Sequence, residues 1–270
     1  MKKILVYLFL GGVVFTSCSK DDKITPEIDF NQALELPENT AWQKRVKVFY
    51  DDFNTYVRMD YTVKDVKWNW DSRRNYEHTL PKSEEDAEKL FNFMDETLFQ
   101  VYPDELLRKM LPYQILLADT LNATKNTKVQ SYALSGMNHI IFGGAGPKTF
   151  PQTAATKLAA AKEIHECFAL SLIAKVEEQP EAFWAVSTYE RMGLTSDAMM
   201  YQQGYVYRNK VLPPDKDKDY STYVAWVASN TKAQIEAVTD VYPLVKKKVE
   251  LLRQYYAAQL DTNLDDLMRK

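Results

Sequence analysis

Residues 151–178 constrain the fold more than any other part of this chain. They have an alanine-rich start and no internal Gly or Pro, and they read as the clearest long helix. Ala161, His165, Phe168, Ala169, Leu172 and Val176 share one side of it, because positions three, four, seven and eleven residues from His165 recur on one helix face. That face is apolar and has to be buried. On those grounds His165 is expected to be a core histidine hydrogen-bonded to the backbone.

The same helix contains Lys162-Glu163-Ile164-His165-Glu166-Cys167-Phe168-Ala169, which is one residue away from His-Glu-x-x-His. In that motif two histidines four residues apart share a helix face and pinch a zinc ion, while the Glu activates the metal-bound water. His165 and Glu166 are in place, but the second ligand position holds Ala169, whose side chain has no donor atom. Cys167 cannot substitute, since a residue two positions on points about 200° around the helix. The other histidines, His78 and His139, have no partner at ligand spacing and are expected to be structural.

The first residues give a second signal. Lys2 and Lys3 are followed by an apolar run over residues 4–15, then Thr16, Ser17 and Cys18. The run falls well short of the roughly 20 residues needed to span a bilayer, so it reads as a secretory signal. Phe15-Thr16-Ser17-Cys18 resembles a bacterial lipobox, which implies cleavage before Cys18 and lipidation of its thiol. Ser19-Lys20-Asp21-Asp22-Lys23 is similar to the acidic export tag of surface lipoproteins in the Bacteroidetes. Residues 1–17 are therefore expected to be a signal peptide, residues 18–40 a lipidated cysteine and flexible tether carrying Pro26 and Pro37, and 41–270 a single domain. The expected location is the outer membrane, lipid-anchored and facing outward.

Formal charge is −3 over the whole chain, from 34 basic and 37 acidic side chains. Removing Lys2 and Lys3 with the leader leaves 32 against 37, or −5. With no clustered basic excess, no nucleic-acid partner is expected. With Cys18 lipidated, Cys167 is the one thiol left, so it cannot form an intramolecular disulfide. In an oxidising compartment it is expected to be buried. Hydrophobic residues at 46% of the sequence suffice for a full core.

Residues 46–50 and 56–61 are rich in β-formers and are expected to be strands. Ser83-Glu84-Glu85-Asp86 opens a helix whose apolar residues are Leu90, Phe91, Met94 and Leu98, ended by Pro103. Residues 113–121 and 131–142 are expected to be further strands, with Gly143-Gly144-Ala145-Gly146-Pro147 as a turn. That cluster is no phosphate cradle, because Pro147 breaks the Gly-Lys-Ser/Thr order a P-loop needs. Residues 212–219 read as a charged loop, 220–229 as a helix, and 231–267 as a helical region interrupted at Pro243. Lys246-Lys247-Lys248, next to Glu250, reads as a solvated helix face.

Together, the lipoprotein leader, the strands near Val46, the His165-Glu166 helix and the closing run from Tyr255-Tyr256 to Asp265-Asp266-Leu267 resemble one group. This is the putative zinc-binding metallopeptidase family of the Bacteroidetes, also described as substrate import-associated zinc metallohydrolase lipoproteins, made alongside TonB-dependent importers. The resemblance implies an α+β, zincin-like fold: an N-terminal twisted β-sheet (sheet-rich 41–150) packed on a central helix (about 151–178), with a helix-rich half over 151–270. It also places His165 at the first zinc ligand, Glu166 at the general base and Ala169 at the second ligand. Gly204-Tyr205-Val206 matches a family loop. Lys218-Asp219-Tyr220-Ser221-Thr222 falls where the family has an acidic helix, leaving Thr222 in place of a glutamate.

With two ligand positions altered, His165 and Glu166 are expected to be vestigial and no cofactor is expected. A catalytic zinc takes three protein ligands plus a water, and the general base needs an acidified water to act on. Three readings follow. In the first, a non-catalytic relative serves as an accessory or binding protein in nutrient capture, with a glycan or peptide ligand and Trp68, Trp70, Trp184 and Trp226 as candidate stacking rings, each taken singly more readily explained as core. In the second, an active zinc metallohydrolase recruits ligands from elsewhere, such as Asp219. The third is a structural surface lipoprotein.

Overall fold

In the computed structural model the residues described are 36–66, 77–122, 129–136 and 138–269. Cys18, Trp68 and Trp70, with the leader and most of the tether, lie outside them. Among the described residues no helix is long and apolar enough to cross a membrane.

Helix α1 (Ala41–Phe53) opens the unit Pro37–Lys270. It covers residues 46–50, where a strand is expected from composition. Here spacing wins over β-propensity. Trp42, Val46 and Phe49 recur with helical period and are buried, Gln43, Lys44, Arg45 and Lys47 fill most of the positions between them, and Thr40 forms a capping box with Gln43. Asn54, left-handed at φ 52°, ends the helix. Strand β1 (Tyr56–Arg58) then enters the sheet, followed by the short helix α2 (Val63–Val66) and strand β2 (Glu77–His78).

Helix α3 (Glu84–Met94) is capped by the Ser83 side chain, which accepts from the Asp86 amide. It runs on as a π-helical turn over Asp95–Phe99 that keeps Leu98 and Phe99 inside. The last helical hydrogen bond, from the Tyr102 amide to the Leu98 carbonyl, falls just before Pro103, which ends these turns as expected. Pro103 also precedes the next helix, α4 (Asp104–Met110).

Strands β3 (Gln114–Ala118) and β4 (Leu121–Asn122) come next. Residues 131–142 form two strands, β5 (Ala133–Ser135) and β6 (His139–Gly143), paired antiparallel. The chain turns back at Gly136, where a Cβ would fall 2.2 Å from the His139 ring. His139 thus packs onto the turn, and His78 stacks on Tyr61 at 5.2 Å. The main sheet has the order β1-β3-β6-β5, with the first three strands parallel. β3 and β6 are buried along their whole lengths, as expected for central strands covered on both faces. β2 and β4 make a separate antiparallel pair.

Helix α5 (Ala154–Ile173) realises the long helix and starts on a Thr153–Thr156 capping box. It is covered on two sides, by β5 and by α8, so its burial is broader than one apolar stripe. Ile164, His165, Cys167, Phe168 and Ala169 are all buried. The C-terminal half continues with α6 (Glu181–Trp184), α7 (Asp197–Gln202), α8 (Lys216–Ser229), α9 (Lys232–Thr239) and α10 (Pro243–Leu260), and a 3₁₀ turn spans Leu264–Leu267. Lys216 to Asp219, expected to be loop, form the first turn of α8, because the Asp215 side chain caps the helix by accepting from the Lys218 amide. Pro243 stands at the first position of α10, where its missing N–H costs nothing. The chain is α+β, as expected.

Candidate functional site

The site is built where α5 crosses α8, the two helices in the most extensive mutual contact. Glu163, two residues before His165, ties α5 to the sheet by accepting from the Tyr132 amide at 2.6 Å, just ahead of β5. Burial pushes this carboxyl above its ordinary pKa, and the backbone donors only partly offset that.

His165 is 3% exposed, and its Nδ1 lies 3.2 Å from the Tyr102 hydroxyl. It is a core histidine, but its partner is a side chain from outside α5 rather than the backbone expected. Burial pulls its pKa down to about 4, so the ring is neutral at physiological pH. Tyr102 also packs edge-on to Phe168, which fixes both rings against α5.

Glu166 is half-buried and paired with the Lys218 ammonium. Lys218 reaches it from the first turn of α8, with Nζ also 5.0 Å above the Tyr207 ring. Ala169 is fully buried. Thr222, one helical turn beyond Lys218, donates its hydroxyl to the Lys218 carbonyl at 2.7 Å and lies 3.1 Å from that of Asp219. Asp219, a candidate replacement ligand in the sequence, is not available to a metal. Its Oδ2 is held by Lys248 Nζ at 2.5 Å and by the Tyr189 hydroxyl at 2.6 Å.

These side chains do not fit a zinc ion. Three positions that a zinc hydrolase fills with two ligands and a free base hold an alanine, a backbone-bonded threonine and an ion-paired glutamate. A lysine cation already stands beside Glu166 and would repel a second cation. Among the described residues no group of three or more His, Cys, Asp or Glu side chains is arranged to hold a metal.

Lys248 is the largest departure from expectation. Rather than lying on a solvated face, its side chain is 0% exposed, inside a cage of four rings: Phe183 at 4.7 Å, Tyr205 at 4.8 Å, Tyr223 at 5.4 Å and Tyr189 at 5.7 Å. Gly204 makes this cage possible. At φ +76° it adopts the left-handed conformation that turns Tyr205 inward, and a Cβ there would meet Ser187 Oγ at 2.8 Å. Trp184 and Trp226 are not stacking platforms. Trp184 is buried, with its indole N–H on the Lys216 carbonyl, and half-buried Trp226 packs on the core.

Lys218, Lys248, Tyr102 and Tyr189 carry no motif of their own. Only Lys248 left a signal: with Val245, Val249, Leu252 and Tyr256 it falls on the buried stripe of α10.

A crystal structure of a putative zinc-binding metallo-peptidase from Bacteroides caccae shares the fold, with a TM-score of 0.57 over 84% of this chain and 87% of that one, at 16% sequence identity. No curated protein sequence matches the chain. A family model described as "putative zinc-binding metallo-peptidase" matches residues 47–265, and the chain therefore belongs to that family.

Proposed function

We propose that this chain is a non-catalytic member of its family, acting as a lipid-anchored accessory or binding protein. The observation that carries this reading is the Lys218 ammonium on Glu166. A general base must accept a proton from a metal-bound water; here Glu166, at the general-base position, is paired with a tethered cation, with Ala169 and Thr222 in place of ligands. Anchoring through Cys18 at the outer membrane, beside a TonB-dependent transporter, rests on the leader sequence and on what the family resemblance implies. Capture of a glycan or peptide rests on the same ground. A groove of about 720 Å³ gives such a ligand room. Asn122, Lys148 and Tyr132 line it, and Phe150 adds an apolar wall.

The test is hydrolysis of a mixed quenched-fluorescent peptide library by the purified protein with added zinc. Turnover is expected to stay at the buffer rate and to be the same in Glu166→Gln. Zinc-dependent cleavage abolished by that substitution would establish the active-hydrolase alternative.

A further inference from the structure

Lys248 and Asp219 are poorly served as ions. Lys248 offers three donors, but among the described residues its ammonium has one hydrogen-bond acceptor, Asp219 Oδ2. The other oxygen, Asp219 Oδ1, is buried with no hydrogen-bond partner. Both side chains are sealed from solvent, at 0% and 1% exposure. Burial pushes the Asp219 carboxyl up and the Lys248 amine down, each toward its neutral form. A neutral amine is a nucleophile and a protonated carboxyl is an electrophile. A carbon–oxygen bond is about 1.2 Å, so with Nζ 2.5 Å from Oδ2 the nitrogen lies within about 3.8 Å of Cγ.

We propose that Lys248 and Asp219 condense into an intramolecular isopeptide bond that staples α10 to α8. Nζ attacks Cγ. Oδ2 already carries the carboxyl proton; the Tyr189 hydroxyl, 2.6 Å away, gives it a second, and Nζ, which enters as the free amine with two protons, gives one up to restore the tyrosine hydroxyl. The Nζ–Cγ bond forms, the Cγ–Oδ2 bond breaks, and Oδ2 leaves as water. No oxidant or cofactor is consumed. The product explains what the ion pair leaves unexplained. Asp219 Oδ1 becomes a neutral amide oxygen, which costs less to bury unpaired than half of a carboxylate. The single remaining N–H replaces an ammonium with two unmet donors, and it still faces the aromatic cage. Release of water from a sealed site favours the amide over its hydrolysis.

Tryptic digestion of the denatured full-length chain tests this directly. Trypsin does not cut after an acylated lysine, so a linked protein yields residues 219–232 joined to 248–253, about 18 Da lighter than the two peptides together. That species is the expected result, and Tyr189→Phe is expected to slow its appearance in freshly made protein. Full recovery of residues 219–232 and 249–253 as separate peptides, from protein kept folded for a day, would overturn the proposal. So would a loss of water mapped to any other pair. The wild-type digest decides the matter even where Lys248→Met fails to fold.

Discussion

Lys248→Met is expected to destabilise the domain by about 3–5 kcal/mol, because it leaves the buried Asp219 carboxyl in the core without the Lys248 nitrogen it is joined to. For a domain of this size that corresponds to roughly 10 °C in melting temperature. The neighbours of Lys248 provide the contrast. Lys246 and Lys247 are exposed on the same helix turn, and Lys246→Met or Lys247→Met should stay within about 0.5 kcal/mol of wild type. Replacing both partners, as Asp219→Leu with Lys248→Met, removes the stranded polar group and is expected to recover most of the loss. Urea denaturation of the four variants measures all of this. A Lys248→Met protein as stable as Lys246→Met would mean that the side chain is not enclosed by Phe183, Tyr189, Tyr205 and Tyr223.

The second large effect concerns metal. Restoring His at 169 and Glu at 222 supplies the two missing ligands beside His165. Lys218 must also go, since its ammonium holds Glu166 and opposes any cation placed there. Ala169→His with Thr222→Glu and Lys218→Met is therefore expected to bind zinc about a hundredfold more tightly than wild type or more. The double variant that keeps Lys218 should fall between the two. Competition against a chromogenic chelator measures the affinities, and circular dichroism confirms folding. A folded triple variant with no gain would mean that Thr222 does not correspond to the lost glutamate.

The features readable from sequence were those set by local physics. The long helix, the Ser83 cap, the Gly143–Pro147 turn and the start of α10 at Pro243 each follow from periodicity, capping or backbone chemistry within a few residues. The family was legible because His165-Glu166 survives beside Ala169. Two errors share a cause. Residues 46–50 form a helix, although composition favours a strand, and Lys248 is buried in a basic triplet that looks solvated. In both, residue type outweighed spacing, while Trp42, Val46 and Phe49 in one case and Val245, Val249 and Leu252 in the other carry the helical stripe. The pairings Glu166–Lys218 and Asp219–Lys248 could not be read at all, because each joins residues far apart in sequence that meet only when α5, α8 and α10 pack.

Glu166 links these observations, since its partner decides whether the helix is a catalytic element or an inherited scaffold. The most direct measurement is the zinc content of the purified protein after growth with added zinc and dialysis, by elemental mass spectrometry, alongside His165→Ala. If Lys218 occupies the place of the metal, wild-type protein carries only substoichiometric zinc and the substitution changes nothing. Stoichiometric zinc that disappears in a folded His165→Ala protein would contradict it.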